Sequence, residues 1–247
     1  KRNITLEPIQ IRGEKLTCAD NPFATITIPA PKVNACGMPI GMPNDRVIVR
    51  VKNQYGIICE EQEMSEDNGD MMVKNFAIGQ YFVECKLKSD TTKMITQLFS
   101  VQAPSLVCND NVIVPLGSAC EIQLTPDDLL ENPCEATGLG GLIRYNITVK
   151  LGLDTKNWLR TDTAGGVITY PVITKKAIAA AGMSVCGGTA TVEIERIIYD
   201  TNLDGVVDLP AGVALCHNGI QNASCETGIR FEDQSAPFIS IATDADT

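Results

Sequence analysis

GQYFVECKLKSDTTKMITQLFSVQAP, residues 79–104, contains two stretches that alternate apolar and polar side chains and ends on an Ala-Pro pair. YFVECKL at 81–87 and MITQLFSV at 94–101 each read as a strand with one face buried, because a period of two sends successive side chains to opposite faces. The same alternation recurs upstream in FATITI at 23–28, DRVIVRV at 45–51 and MVKNFAI at 72–78. Downstream it recurs in NVIVPL at 111–116, CEIQL at 120–124, IRYNITVKL at 143–151, GVITYPVI at 166–173, TATVEIERIIY at 189–199 and GIRFE at 228–232. Turn-forming clusters such as PND, EDNGD, TGLGG and TNLDG separate these stretches. Only PDDLLENP at 126–133 and TKKAIAAAGM at 174–183 read as short helices, the second capped by Thr174 and ended by Gly182.

The spacing from Gly79 to Pro104 is repeated from Gly212 to Pro237, and LTCADN at 16–21 echoes LVCNDN at 106–111. This echo predicts a first module over 1–103, a larger second module over 104–236, and the first strand of a further module in 237–247. Strands bounded by turns, in modules of this size, point to an all-β chain of tandem immunoglobulin-like β-sandwiches stapled by disulfides.

The totals agree with that class. A chain of 247 residues with 44% hydrophobic content can build real cores, and with 5% aromatics these cores are aliphatic and β-branched. Thirty acidic against 20 basic residues give a net charge of −10, which repels a phosphate backbone and excludes nucleic acid as a partner. Ten cysteines, widely spaced and accompanied by a single histidine, fit neither a zinc site nor a C-x-x-C redox pair. They read as a disulfide framework of open connectivity in an oxidising, extracellular or cell-surface setting. No apolar run is long enough for membrane insertion. The opening KRNITLEP, with neither Met nor signal peptide, predicts a mature or excised part of a longer secreted precursor.

One stretch carries candidate ligand chemistry. In DTNLDGVVD, Asp200, Asn202, Asp204 and Asp208 place side-chain oxygens at loop positions 1, 3, 5 and 9, Val206 offers its carbonyl at 7, and Gly205 allows the sharp turn. The spacing predicts a structural calcium site. Position 12 is Ala211 where a bidentate glutamate would complete the shell, and the loop follows a strand rather than a helix.

Catalytic chemistry is absent from the pattern. His217 lies in ALCHNG with no nucleophile context. Of the acid pairs Glu60-Glu61, Asp127-Asp128 and Glu193/Glu195, the second reads as a helix start and the third as a strand face, with Arg196 placed beside that last pair on the solvent side. Trp158, in the polar segment DTKNWLRTD, is the candidate ligand contact, supported by Tyr145, Tyr170 and Tyr199. The acceptor triplets at Asn3, Asn146 and Asn222 mean glycosylation only where the pathway provides it.

At the first junction, Leu98, Ala103, Pro104, Leu106 and Cys108 resemble the V-x-D-x-x-A-P-x-I-x-C junction of hyalin-repeat-like modules in type IX-secreted surface proteins of Bacteroidota, with Ser100 in place of the aspartate. Phe231, Asp233, Ala236, Pro237 and Ile239 match at the second, with Ile241 in place of the cysteine. The resemblance covers mainly 98–134 and 228–241, and Gly79 with Tyr81 is similar to its G-x-Y turn. It implies an adhesin or fibre-forming role, and O-glycan sites at 90–92 and 162–164. The expected function is thus a non-enzymatic structural section of a long extracellular protein, a calcium-supported rod or adhesive filament. Its partners would be neighbouring modules or copies of the same protein, or a cell-surface glycan or protein. The alternative is a carbohydrate- or protein-binding module attached to a secreted enzyme.

Overall fold

The computed structural model describes residues 4–35, 46–65, 71–117, 120–135, 137–164, 167–209, 216 and 219–234, without the side chains of 4, 34 and 35. Residues 237–247, His217, Gly212, Asn3 and the Asn68-Gly69 turn lie outside them.

The first half holds β1 (Ile4–Leu6), β2 (Glu14–Lys15), β3 (Ala24–Pro29), β4 (Val33–Ala35), β5 (Val47–Asn53), β6 (Ile58–Met64), β7 (Met71–Phe76), β8 (Gly79–Leu87) and β9 (Met94–Gln102). The second holds β10 (Val112–Leu116), β11 (Glu121–Gln123), β12 (Ile143–Lys150), β13 (Leu159–Arg160), β14 (Val172–Thr174), β15 (Thr189–Ile198) and β16 (Gln221–Asp233). Three one-turn or slightly longer helices, α1 (Pro126–Leu129), α2 (Gly138–Gly141) and α3 (Lys175–Ala180), interrupt it.

Strand order identifies the fold. A five-stranded sheet runs β2-β9-β8-β5-β6, accompanied by the pair β3-β7, and a second runs β10-β16-β15-β12-β13, accompanied by the pair β11-β14. Each set has the same order, and in each the first strand lies parallel to the last. Two antiparallel layers in this Greek-key order make immunoglobulin-like sandwiches. The chain is all-β, tandem and stapled by Cys18–Cys134, Cys59–Cys216 and Cys108–Cys225.

Packing sorts the chain into two compact units: Lys1–Ser105 with Cys134–Arg144 and Ile197–Gln221, and Leu106–Pro133 with Tyr145–Arg196 and Asn222–Thr247. Residues 134–144 and 197–221, which a contiguous 104–236 module would include, pack in the first unit. Disulfides explain both insertions, since Cys134 is tied to Cys18 and Cys216 to Cys59.

The alternation read from sequence becomes burial. β3 follows a buried-exposed pattern throughout, and β5 alternates with Val47, Val49 and Val51 inside. Three rings, Phe76, Tyr81 and Phe99, cluster with centroids 5.0–5.3 Å apart in the first core. The Tyr81 hydroxyl donates to the Ala77 carbonyl at 2.7 Å, a tyrosine corner at the start of the penultimate strand. Burial pushes its phenol well above the ordinary range.

Cys85 lies on the inner face of β8, fully buried, where desolvation first and Glu84 second push its thiol up to about 12. Because the thiolate is the reacting form, Cys85 is expected to resist N-ethylmaleimide in the folded protein and to react only after unfolding. Peptide mapping that finds the label on native Cys85 would show that this core is open.

Two readings of local pattern need correction. Arg196 is on the buried face of β15 at 5% exposure, while Glu193 and Glu195 alternate onto the other face, so it does not share their solvent side. Of GVITYPVI, the described residues 167–173 contribute only to β14 and to an isolated bridge between Asp162 and Thr169, because Pro171 has no N–H to extend the ladder.

Candidate functional site

Residues 200–208 begin where β15 ends, in the part of the chain that packs with the first unit. Tyr199 anchors them. Its ring is buried and stacks on Phe23, its hydroxyl donates to the Pro22 carbonyl at 2.8 Å, and it accepts the Ile78 N–H at 2.9 Å. Its backbone N–H reaches the Leu142 carbonyl at 2.9 Å, and its carbonyl accepts the Asp208 N–H at 2.6 Å. The loop is thereby closed at both ends on one residue.

Inside the loop, the side chains at positions 1 and 3 fold the backbone. Asp200 is 3% exposed and accepts the N–H groups of Asp204 and Gly205 at 3.1 and 2.9 Å. Asn202 accepts the Asp204 N–H at 3.0 Å, and Asp204 accepts the Val206 N–H at 2.7 Å. Gly205 takes φ +85°, the left-handed conformation that the turn requires. Val206 carries an exposed side chain. Asp208 is turned to Thr201, accepting from its N–H at 2.7 Å and from its hydroxyl. Those bonds, the hydroxyl first, hold its carboxyl below the ordinary carboxylate value.

Four of the five expected ligands therefore lie in one compact loop with their oxygens engaged by N–H or hydroxyl donors. Among the described residues, no group of three or more His, Cys, Asp and Glu side chains is disposed to hold a metal ion. A cation entering the loop would have to draw the Asp208 carboxylate away from Thr201. The donor set itself, side-chain and carbonyl oxygens alone, suits a hard cation.

Trp158 is elsewhere, in the second unit, after a short turn in which Asp154 caps Lys156. Its ring is half-buried, with the Lys150 ammonium and the Arg160 guanidinium each 5.7 Å from the centroid. Two cations over the ring compete with a stacked sugar for its π surface. Tyr145 and Tyr199 are buried and offer no platform.

The acid pairs have structural partners. Glu61 pairs with Arg50, Glu60 with Lys74, Glu193 with Lys150, and Asp128 forms a capping box with Thr125 at the start of α1. Asp90 and Asp162, in the segments with implied O-glycan sites, each accept an N–H two residues on, from Thr92 and Ala164. Asn222 donates to Glu195 at 3.0 Å.

Sequence reasoning missed the Tyr199 anchor. Its partners are 121 and 177 residues away, so no local pattern could announce it.

No family model matches the chain, and no curated protein matches it. Among solved structures, it is similar to the two immunoglobulin domains of DIP-gamma, at 9% identity over 94% of this chain and 99% of that one, with a TM-score of 0.28. It is also similar to human mucin-like protocadherin EC1-2, at 8% identity over 96% and 100% of the two chains with a TM-score of 0.25. Against Sidekick-1 immunoglobulin domains 1–5 the figures are 8% identity, 93% of this chain, 39% of that chain and a TM-score of 0.26. Strand order, and not these low scores, is what makes both strand sets immunoglobulin-like.

Proposed function

We propose that this chain is a non-enzymatic section of an extracellular or cell-surface protein, with two immunoglobulin-like modules that serve as a structural or adhesive element. The observation that carries it is the repeated strand order, held among the described residues by three disulfides that suit an oxidising compartment. No helix among the described residues is long and apolar enough to cross a membrane. Modules of this kind, joined to neighbours or to copies of the same protein, would form a rod or filament. The junction residues around Ala103-Pro104 support a place among hyalin-repeat-like, type IX-secreted surface proteins. The disulfide framework would supply resistance to proteolysis and shear by restricting the unfolded chain.

In this reading the loop at 200–208 takes Ca²⁺ as a clip. Asp200, Asn202, Asp204, the Val206 carbonyl and Asp208 would supply the oxygens, and the ion would supply stiffness only. Calorimetric titration of the chelator-stripped chain is expected to show saturable Ca²⁺ binding that Asp204→Ala abolishes. At a free Ca²⁺ concentration roughly 100-fold above Kd, linkage adds about 2.7 kcal/mol to stability, visible as a raised Tm in the parent alone. A titration with no heat at millimolar Ca²⁺ would remove the ion and leave a hydrogen-bonded turn.

A further inference from the structure

Cys120 and Cys186 are thiols on the surface of the second unit, distant in sequence and used by nothing described above. The topology brings them to one end of that unit. β11 pairs antiparallel with β14 in the register Glu121↔Thr174, so Cys120 stands opposite Lys175, whose N–H donates to the Cys120 carbonyl at 3.0 Å. The Lys175 ammonium then reaches Asp233, at the end of β16, at 3.0 Å. Two residues back along that strand, Phe231 exchanges hydrogen bonds with Gly187 and Gly188, at 2.9 and 2.8 Å. Cys186 immediately precedes them. The ends of β14 and β16 and the approaches to β11 and β15 therefore meet around Lys175. Lys175 is held above its ordinary value by Asp233 first, with Cys120 and Cys186 adding to that effect.

We propose that Cys120 and Cys186 are a redox-modification pair that closes into a further disulfide, bridging the two sheets at this end of the second sandwich. The oxidant is a small-molecule disulfide such as glutathione disulfide. The thiolate of one cysteine attacks a sulfur of the oxidant, forming a mixed disulfide and expelling one glutathione thiolate. The thiolate of the other attacks the protein sulfur of that mixed disulfide, forming the Cys120–Cys186 bond and expelling the second glutathione thiolate. The two thiol protons end on the two glutathiones, and the protein pair loses the two electrons that the oxidant gains. Both thiols are exposed, as entry of the oxidant requires. The site is separate from a core cystine, because the inner positions of the facing strands are Leu124, Val192 and Ile194.

The test is exposure of the folded 247-residue chain to glutathione disulfide, blocking with N-ethylmaleimide, and non-reducing peptide mapping. The expected result is a peptide carrying Cys120 linked to one carrying Cys186, with loss of two maleimide equivalents relative to the untreated thiols. Cys120→Ser should leave Cys186 carrying one glutathione and no link. The proposal is overturned if the wild-type chain carries glutathione or maleimide on both cysteines separately, or if either is linked to another cysteine.

Discussion

Tyr199→Phe should lower the melting temperature by roughly 5–15 °C, although it removes a single oxygen. The hydroxyl joins the buried Ile78 N–H, at 2.9 Å, to the partly buried Pro22 carbonyl, at 2.8 Å. Leaving a buried polar group unsatisfied costs about 1–3 kcal/mol, and losing the bond to the partly buried Pro22 carbonyl adds about 1 kcal/mol, which sets the expected loss at about 2–4 kcal/mol. Tyr199→Ala adds the cavity of a fully buried ring and should cost several kcal/mol more, on the order of a Phe→Ala core change. The variant also separates the hydroxyl from the ring by its pH dependence. Burial pushes the Tyr199 phenol up to about 12, above its ordinary value of 10.0. Below the unfolded value both states hold the proton and no stability is lost. Between there and the folded value only the unfolded chain ionises, so stability falls with rising pH by about 1.4 kcal/mol per unit. Tyr81 is shifted in the same direction, by burial first and by Tyr199 second, so Tyr199→Phe should reduce the alkaline slope without abolishing it. Thermal melts from neutral to strongly alkaline pH check both statements. A variant that melts like the parent at neutral pH would mean that the hydroxyl is not the anchor.

The comparison of sequence with structure divides along the range of the interactions. Alternation announced β3, β5, β8, β9 and β15, because one buried face is a property of the strand itself. Thr174 and Gly182 announced α3 for the same local reason: the hydroxyl accepts the Ala177 N–H, and the glycine takes φ +71°. β6 was absent from the alternating stretches, since ICEEQEM carries acids at successive positions. It is a strand through its antiparallel ladder to β5, and Arg50, Lys74 and Lys88 on other segments pair with Glu61, Glu60 and Glu63. Glu84 shows the same dependence on neighbours. Burial would raise its carboxyl, yet Lys86 and Lys52 together hold it below the ordinary value. Trp158 was legible as an unusual residue, but the cations over its ring come from strands on either side of it in sequence. The loop spacing at 200–208 was fully legible. Its attachment to the first unit was not, because that depends on Tyr199 and on the pairing of Cys216 with Cys59, neither of which leaves a local trace.

Replacing Cys18 and Cys134 together by serine should destabilise the first unit most of all. The bond spans 116 residues, and restricting so long a loop in the unfolded chain is worth about 4–5 kcal/mol in the chain-entropy account. The other two bonds span 157 and 117 residues, and a logarithmic dependence on length hardly separates the three. What separates them is the packing around the bond. Cys134 is buried, and the Cys18 carbonyl accepts the Leu139 N–H at 3.0 Å, with Leu139 fully buried. Gly138 sits so near that a Cβ there would lie 3.0 Å from the Cys134 Cβ, and Gly140, at φ +64°, would bring one to 3.3 Å from Pro22. Residues 134–144 thus fit against the 18–22 segment with no space for repacking, and Pro22 is also the acceptor for Tyr199. Leu142 in the same segment accepts the Tyr199 N–H. Cutting the disulfide releases a segment that the tyrosine also holds, so the two losses should not add. Melting the serine pair, Tyr199→Phe and the triple variant gives the coupling directly, with an expected interaction of more than about 0.5 kcal/mol. Strict additivity would show that disulfide and tyrosine act on separate parts of the unit. A loss below about 1 kcal/mol for the serine pair would show that packing alone holds 134–144 in place.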